Sequence, residues 1–144
     1  MIRISNAQLW VHDQEEALAF YTGKLGWEVR ADVSVPEWNF RWLTVGPPEQ
    51  PDIAVVLMSI TMAPVDDATK ALMADVVAKG MGGTIFLETD DVQKAYEELS
   101  ARGVPFTDPP TPQAYGIDTG FRDPSGNNVR LTQVLEFDLS RGAS

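Results

Sequence analysis

The single histidine of the chain, His12, lies next to Asp13 at the end of the stretch NAQLWVHD (6–13). Such a histidine can act as a general acid or base or as a metal ligand, because imidazole changes charge near neutral pH. A histidine-based metal site needs a second histidine, which this chain lacks. The sequence therefore favours a junction histidine that bonds nearby backbone, with a position on a cavity rim as the alternative.

Two charged residues on predicted strands, Glu88 in TIFLET (84–89) and Arg130 in NVRLTQV (128–134), could also act on a ligand. A desolvated carboxylate is a candidate general base, and a guanidinium can hold an anionic group. If the two side chains pair, they can equally form a structural salt bridge, which is the interpretation we favour.

Composition and charge limit the possible partners. Eleven Lys and Arg against 21 Asp and Glu give a formal charge of −10, which disfavours nucleic acid and mildly favours cationic ligands. The absence of cysteine excludes disulfides and thiolate metal sites. The longest apolar runs are strand-sized, and the N-terminus lacks a signal-peptide pattern. We expect a cytoplasmic protein that binds neither nucleic acid nor membrane.

The elements that would position these residues follow from periodicity and capping. Residues 4–11 alternate and predict a strand, with Ala7, Leu9 and Val11 on one face and Asn6, Gln8 and Trp10 on the other. Asp13 and Glu16 form a capping-box pattern that begins a helix, and Gly26 is well placed to end it. A second helix is predicted over roughly 66–79, and a third over 90–103 with Asp90 and Gln93 as a possible capping box.

The order of these elements repeats. The chain reads β-α-β-β-β, a linker helix, then β-α-β-β-β again, and a shift of 78 residues places Asp13 on Asp91. One deletion later, Leu25-Gly26-Trp27 meets Arg102-Gly103-Val104. This repeat indicates duplication of one module, because neither half alone could bury its sheet face.

Three motifs in order resemble the vicinal oxygen chelate superfamily, which includes glyoxalase I, extradiol dioxygenases, fosfomycin-resistance enzymes and bleomycin-resistance proteins. They are LWVHDQEEALAFYTGKLGWEV, TDDVQKAYEELSARGVPF and YGIDTGFRDPSGNNVRL. The resemblance covers about residues 3–135. It implies an α+β fold in which two tandem βαβββ modules form a U-shaped, half-barrel mixed sheet, with helices on the convex face and ligand on the concave side. We expect one domain over 1–144, with modules at 3–60 and 84–137 and a linker helix at 61–83.

In metal-using members of this superfamily, ligands come from the first strand of each module and from the last strand. The equivalent positions here are Asn6, Thr84 and Arg130, with Ala54 or Val56 in the remaining place. An amide, a hydroxyl, an alkyl group and a guanidinium do not bind a divalent metal, and the guanidinium adds a positive charge. The resemblance thus predicts a protein without metal or other cofactor at the family site.

The resemblance and the strand alternation together give the predicted ligand-binding residues, which are Asn6, Gln8, Trp10, Thr84, Phe86, Tyr115, Asn128 and Thr132. Glu88 and Arg130 are the tentative catalytic residues, and Asp118 and Arg122 are further polar candidates. Trp38, Phe40 and Trp42 enlarge the aromatic group, although the sequence leaves open whether Arg41 or Trp42 faces the ligand.

Three functions fit these residues. The first is a metal-free protein that sequesters a small aromatic or cationic molecule, as bleomycin-resistance proteins do, and that forms a homodimer. The second is an enzyme of lyase, isomerase or dioxygenase type, either metal-dependent or using Glu88 as a general base. The third is a purely structural or interaction module.

Overall fold

The computed structural model describes residues 1–135; residues 136 and 137, the predicted end of the second module, lie outside them. The chain divides into unit 1, residues 1–83 with 123–127, and unit 2, residues 84–122 with 128 onward. Each unit has its own four-stranded mixed sheet. The predicted α+β class with two modules is confirmed. Within residues 1–135, no helix has the length and apolar character needed to cross a membrane.

Unit 1 contains the first module and the linker helix. Its elements are β1 (Asn6–Val11), α1 (Gln14–Leu18) with a π-helical continuation (Ala19–Lys24), β2 (Glu28–Val35), β3 (Phe40–Gly46), β4 (Ala54–Ser59) and α2 (Asp67–Ala78). The sheet order is β1-β4-β3-β2, with β1 parallel to β4 and the other pairs antiparallel. Leu9 and Val11 of β1 are buried while Gln8 is exposed, so the predicted alternation holds over the end of the strand.

The first helix begins as the sequence predicts and then widens. Asp13 caps it, because its Oδ1 accepts a hydrogen bond from the Glu16 amide at 2.9 Å. Beyond Leu18 the turns become π-helical, and the Leu25 amide donates to the Phe20 carbonyl five residues back. A π-helical segment accommodates one inserted residue. This segment coincides with the one-residue offset between the two modules in the repeat alignment, so the wider turn absorbs that residue.

Unit 2 contains the second module. Its elements are β5 (Thr84–Glu88), α3 (Val92–Ala101), β6 (Phe106–Gln113), β7 (Gly116–Arg122) and β8 (Asn128–Val134), with the sheet order β5-β8-β7-β6. The predicted cap of α3 is corrected: Asp91, not Asp90, accepts the Lys94 amide at 3.0 Å. Asp91 is the residue that the repeat places on Asp13, so both modules begin their helix in the same way.

The edge strand β6 carries three prolines, Pro109, Pro110 and Pro112. A proline has no backbone N–H to donate, so it is tolerated in an edge strand and not in a central one. The pairing of β6 with β7 accordingly shifts register between Phe106 and Asp108 and again between Asp108 and Thr111. These irregularities determine which β6 side chains lie beside β7.

The DPSGN turn (123–127) is a buried part of unit 1. Asp123 Oδ1 accepts the amides of Ser125, Gly126 and Asn127 at 2.9–3.0 Å, and its Oδ2 accepts the Tyr21 hydroxyl at 2.8 Å. Asn127 Nδ2 donates to the Trp10 carbonyl at 2.8 Å. The last sequence motif is thereby hydrogen-bonded to β1 and to the first helix.

Candidate functional site

Six of the predicted site residues lie on one face of the unit 2 sheet. In the parallel pair of β5 and β8, register places Thr84 beside Asn128, Phe86 beside Arg130 and Glu88 beside Thr132. Paired residues in neighbouring strands project to the same side, and the intervening Val129 and Leu131 are buried. We call the surface formed by these six residues the β5–β8 face.

β7 continues this face, and Asp118 is its hydrogen-bonding centre. Asp118 lies beside Thr132 in the antiparallel register. Its Oδ2 accepts from Arg130 Nη2 at 2.7 Å and from the Tyr115 hydroxyl at 3.0 Å, while its Oδ1 accepts from Thr132 Oγ1 at 3.2 Å. Asp118 is only 6% exposed, so these bonds compensate a charge largely removed from water.

The structure corrects the partner expected for Arg130. The guanidinium forms ion pairs with Asp118 and, at 3.5 Å, with Asp108 of β6. In the part of the chain that the structure describes, no ion pair joins Glu88 and Arg130, although the two lie on the same face. The reason is that Arg130 extends across β7 toward β6, away from β5.

These contacts shift the pKa values of the three linked groups. Burial alone would raise the pKa of Asp118, but hydrogen bonds from Arg130 and Tyr115 outweigh it and leave that pKa below its ordinary value. The hydrogen bond to Asp118 raises the pKa of Tyr115. The same carboxylate raises the pKa of Arg130, so Asp118 is ionised and Arg130 protonated at neutral pH.

A glycine makes room for the arginine. Arg130 pairs with Gly120 in the register of β7 and β8, and a Cβ on Gly120 would lie 2.3 Å from Arg130 Nη1 and 2.7 Å from Cζ. The guanidinium therefore lies over the bare backbone of β7 at Gly120. The sequence-based site included neither Gly120 nor Asp108; a glycine inside a strand, which indicates close approach of another group, was the available signal for Gly120.

The aromatic residues of the β5–β8 face and its margin are accessible. Phe86 is 79% exposed, and Tyr115 is about half exposed with its hydroxyl on Asp118. Glu88 is exposed beside Phe86 along β5, and within residues 1–135 it has no ion-pair partner. The β5–β8 face thus combines the exposed ring of Phe86, the Glu88 carboxylate and the guanidinium of Arg130, which is paired with Asp118.

His12 belongs to unit 1. Its backbone N–H donates to Ser125 Oγ at 2.9 Å, and its Nε2 lies 2.9 Å from the Ala74 carbonyl of α2. The interpretation favoured from the sequence is a histidine that hydrogen-bonds nearby backbone. His12 does contact a backbone carbonyl, but that carbonyl is 62 residues away along the chain. His12 also lines an open apolar groove with Ile60 and Ala74.

In unit 1, Asn6, Gln8 and Trp10 share one face of β1, and Asn6 Nδ2 donates a hydrogen bond to Ser5 Oγ at 3.3 Å. The open question about β3 is resolved. Arg41 pairs with Asp32 and with Glu15 of α1, so it lies on the helix-covered side and Trp42 on the other.

Arg41 also lines an open polar cavity of about 260 Å³ that the sequence did not indicate, together with Gln14, Ser34, Asn39 and Thr61. The hydrogen bonds that Arg41 donates to Asp32 raise the pKa of Arg41 above its ordinary value and lower the pKa of Asp32 below its own. The guanidinium is therefore fixed by two carboxylates and is not free to hold an anion.

The residues at the superfamily metal positions do not fit a metal ion. Arg130 is a protonated donor already bound to Asp118, and Thr84, Asn6 and Val56 contribute no charged oxygen or imidazole nitrogen. Across residues 1–135, no three His, Asp or Glu side chains are grouped so as to hold a metal ion.

Comparisons with known proteins agree with this architecture. The family model described as the glyoxalase/bleomycin resistance protein/dioxygenase superfamily matches residues 3–131. The chain is 33% identical over 132 residues to YurT from Bacillus subtilis (strain 168), covering 92% of this chain and 99% of that protein.

Two solved structures are also similar. The structure of UcmS2 has a TM-score of 0.83 and 38% identity, covering 92% of this chain and 98% of that one. The structure of TnmS3, an antibiotic binding protein from Streptomyces sp. CB03234, has a TM-score of 0.72 and 30% identity, covering 94% and 98%. The chain therefore belongs to the glyoxalase/bleomycin resistance protein/dioxygenase superfamily.

Proposed function

We propose that this protein binds a small planar aromatic cation on the β5–β8 face, without a metal ion. The observation that carries the proposal is the ion pair between Arg130 and Asp118. The protonated guanidinium of Arg130 stands at the position where the superfamily resemblance calls for a metal-ligating glutamate. The electrostatic organisation of the face thus comes from side chains of the protein itself.

The charge of the face supports a cationic ligand. Asp108, Asp118 and Glu88 carry three carboxylates, against the single guanidinium of Arg130. The whole chain, at −10, adds a longer-range field of the same sign. Asp118 and Asp108 already pair with Arg130, whereas Glu88 has no ion-pair partner within residues 1–135, so Glu88 would pair with the ligand cation.

The exposed ring of Phe86 supports an aromatic ligand. An apolar ring that is 79% exposed loses contact with water when a planar ligand stacks on it. Thr84, Asn128 and Thr132 surround it with neutral hydrogen-bonding groups that can orient such a ligand. Asn6, Gln8, Trp10 and Tyr115 remain predicted contributors to the same binding function.

The comparisons support binding as the activity. TnmS3, which is 30% identical over nearly the whole chain, is described as an antibiotic binding protein. By this proposal our chain has a similar role toward a small molecule. We further propose that it acts in the cytoplasm as a homodimer, which sedimentation would contradict by showing a monomer at all concentrations.

The test uses protein treated with EDTA and dialysed, titrated with N-methylacridinium, a planar aromatic cation, while probe fluorescence is followed. We expect saturable binding that added Zn²⁺, Mn²⁺ or Ni²⁺ leaves unchanged, and that weakens about tenfold in Phe86→Ala, the loss of one stacked ring. Leu72→Ala, which removes a large exposed apolar side chain of unit 1, is the control. Binding that requires a metal, or that Phe86→Ala leaves intact, would contradict the proposal.

A second candidate is metal-independent catalysis with Glu88 as general base, favoured by its carboxylate having no ion-pair partner within residues 1–135. Glu88→Gln distinguishes the two functions. A binding protein loses affinity for the cation in this variant, whereas an enzyme loses turnover of a carbon-acid substrate while keeping its affinity.

A further inference from the structure

Gly120 is a residue of β7 to which no part of the proposed function assigns a role. Three observations concern it: it is buried, it lies beside Arg130 in register, and its missing side chain is the space that the guanidinium fills. We propose that Gly120 is a specificity-determining residue, which selects cationic over anionic ligands by holding Arg130 away from Phe86 and Glu88. This inference rests on the proposed function, because it concerns the same face.

The first step of the argument is positional. Arg130 lies on β8 between two neighbours, Phe86 on β5 and Gly120 on β7. Its long side chain could extend to either side. It extends over Gly120, where Asp118 and Asp108 accept its hydrogen bonds. The ring of Phe86 is left without a guanidinium beside it and keeps its 79% exposure.

The second step concerns what a Cβ at position 120 would do. It would lie 2.3 Å from Nη1, 2.7 Å from Cζ and 3.1 Å from Cδ of Arg130, all closer than normal van der Waals contact. The atoms it meets are the end of a flexible side chain and not backbone. Displacement of the arginine therefore costs less than displacement of β7, and the sheet stays folded.

The third step is where the displaced guanidinium goes. Glu88 offers an accessible carboxylate on the other side of β8, with no ion-pair partner among residues 1–135. A guanidinium that moves toward Glu88 neutralises the carboxylate that would otherwise pair with the ligand cation. It also brings a positive charge beside Phe86. A cation stacked on Phe86 then loses its carboxylate partner, whereas an anion stacked there gains a guanidinium partner.

The experiment compares two planar probes of opposite charge, N-methylacridinium and acridine-9-carboxylate, in wild type and Gly120→Ala. We expect wild type to prefer the cation, and the ratio of the two Kd values to move toward the anion by about fivefold or more in Gly120→Ala. Gly23→Ala is the matched control, since a Cβ there meets no atom within 4 Å. It should leave the ratio unchanged.

A double-mutant cycle with Arg130→Met isolates the mechanism. If Gly120 acts through Arg130, Gly120→Ala shifts the ratio only when the arginine is present. A shift of equal size in the Arg130→Met background would overturn the inference. Should Gly120→Ala fail to fold, Asp118→Asn releases the same guanidinium without a new Cβ, and its cycle with Arg130→Met gives the same test.

A ligand-free measurement separates this inference from the proposed function. NMR titration of the Asp118 carboxyl should show a higher pKa in Gly120→Ala than in wild type, because the guanidinium has left it. An unchanged value means that the arginine has not moved and overturns the role of Gly120. If wild type binds neither probe, the proposed function fails, and the claim about selectivity fails with it.

Discussion

The hydroxyl of Tyr21 donates a 2.8 Å hydrogen bond to Asp123, 102 residues away along the chain, and both side chains are buried. Tyr21 comes from the π-helical segment of the first motif, and Asp123 begins the turn of the last motif. Asp123 holds the amides of its own turn with its other oxygen. This bond therefore joins the two motifs that are most distinctive in the sequence, and its role is structural.

Replacing Tyr21 by Phe should destabilise the protein by about 2 kcal/mol, because a buried hydrogen bond to a charged group is lost. Urea unfolding followed by circular dichroism measures the change. Tyr96→Phe is the matched control. The Tyr96 ring packs on Phe106, and its hydroxyl has no hydrogen-bond partner within residues 1–135. Equal losses in the two variants would contradict the role given to the Tyr21 hydroxyl.

Stability should fall at alkaline pH because of the same tyrosine. Burial, the charge of Asp123 and the hydrogen bond to it raise the pKa of Tyr21 well above 10.0. The unfolded chain then releases this proton at a lower pH than the folded chain does. The contribution of Tyr21 is complete below pH 10.0 and decreases as pH rises above it. Tyr21→Phe should be less stable than wild type at neutral pH. Between pH 9 and pH 11, however, its free energy of unfolding should fall by less than that of wild type, which urea unfolding at each pH would measure.

At acid pH, Asp118 should behave in the opposite sense. Its folded-state pKa lies below 3.8, so its contribution is complete above 3.8 and is lost as pH falls through the lowered value. Asp118→Asn should be less stable at pH 7 and should show a smaller further loss between pH 4 and pH 2. Asp75→Asn is the control, because its ion pair with Lys79 is exposed and is worth about 0.5 kcal/mol or less. Parallel acid profiles for wild type and Asp118→Asn would contradict this assignment.

Replacing Gly126 by Ala should strongly destabilise the folded protein. Its φ of +109° suits glycine, and a Cβ would lie 2.3 Å from the Val77 carbonyl oxygen and 2.9 Å from the Ala78 Cα, both backbone atoms. Because backbone cannot move aside as Arg130 can, we expect a loss of about 3 kcal/mol or more, or failure to fold. Gly23→Ala should change stability by less than about 1 kcal/mol. Thermal unfolding of the two variants tests the contrast, and similar melting temperatures would refute it.

The two glycine predictions show why local geometry decides the outcome of one substitution. At Gly126 the new methyl group meets fixed backbone, and the expected result is a loss of stability. At Gly120 it meets the end of a side chain, and the expected result is a change in ligand selectivity.

Much of the fold could be predicted because local signals determine it. The Asp13 cap needs only a carboxylate three residues before an accessible amide, and the alternation in β1 and β8 needs only a strand with one covered face. The alignment of the two repeats also shows the one-residue offset that the structure accommodates as a π-helical segment. The cap of α3 was assigned one residue too early, since Asp90 and Asp91 give nearly the same local signal.

The partner of Arg130 could not be predicted in this way. Strand parity gave the correct face, but it gave no means to choose between Glu88 and Asp118, which both lie on that face. The choice depends on which strand lies on each side of β8, on the register shifts that bring Asp108 of β6 near, and on the open space above Gly120. The side occupied by Arg41 was undetermined for the same reason.

The sequence by itself determined the family, the two modules, the cap of the first helix and the face on which the residues of β1, β5 and β8 lie, because the motifs, the cap and the alternation each depend on residues within a few positions of one another. Only the tertiary structure decided that Arg130 turns to Asp118 and leaves Phe86 and Glu88 accessible. That outcome depends on distances between strands that are not adjacent in sequence, and on one missing side chain at Gly120.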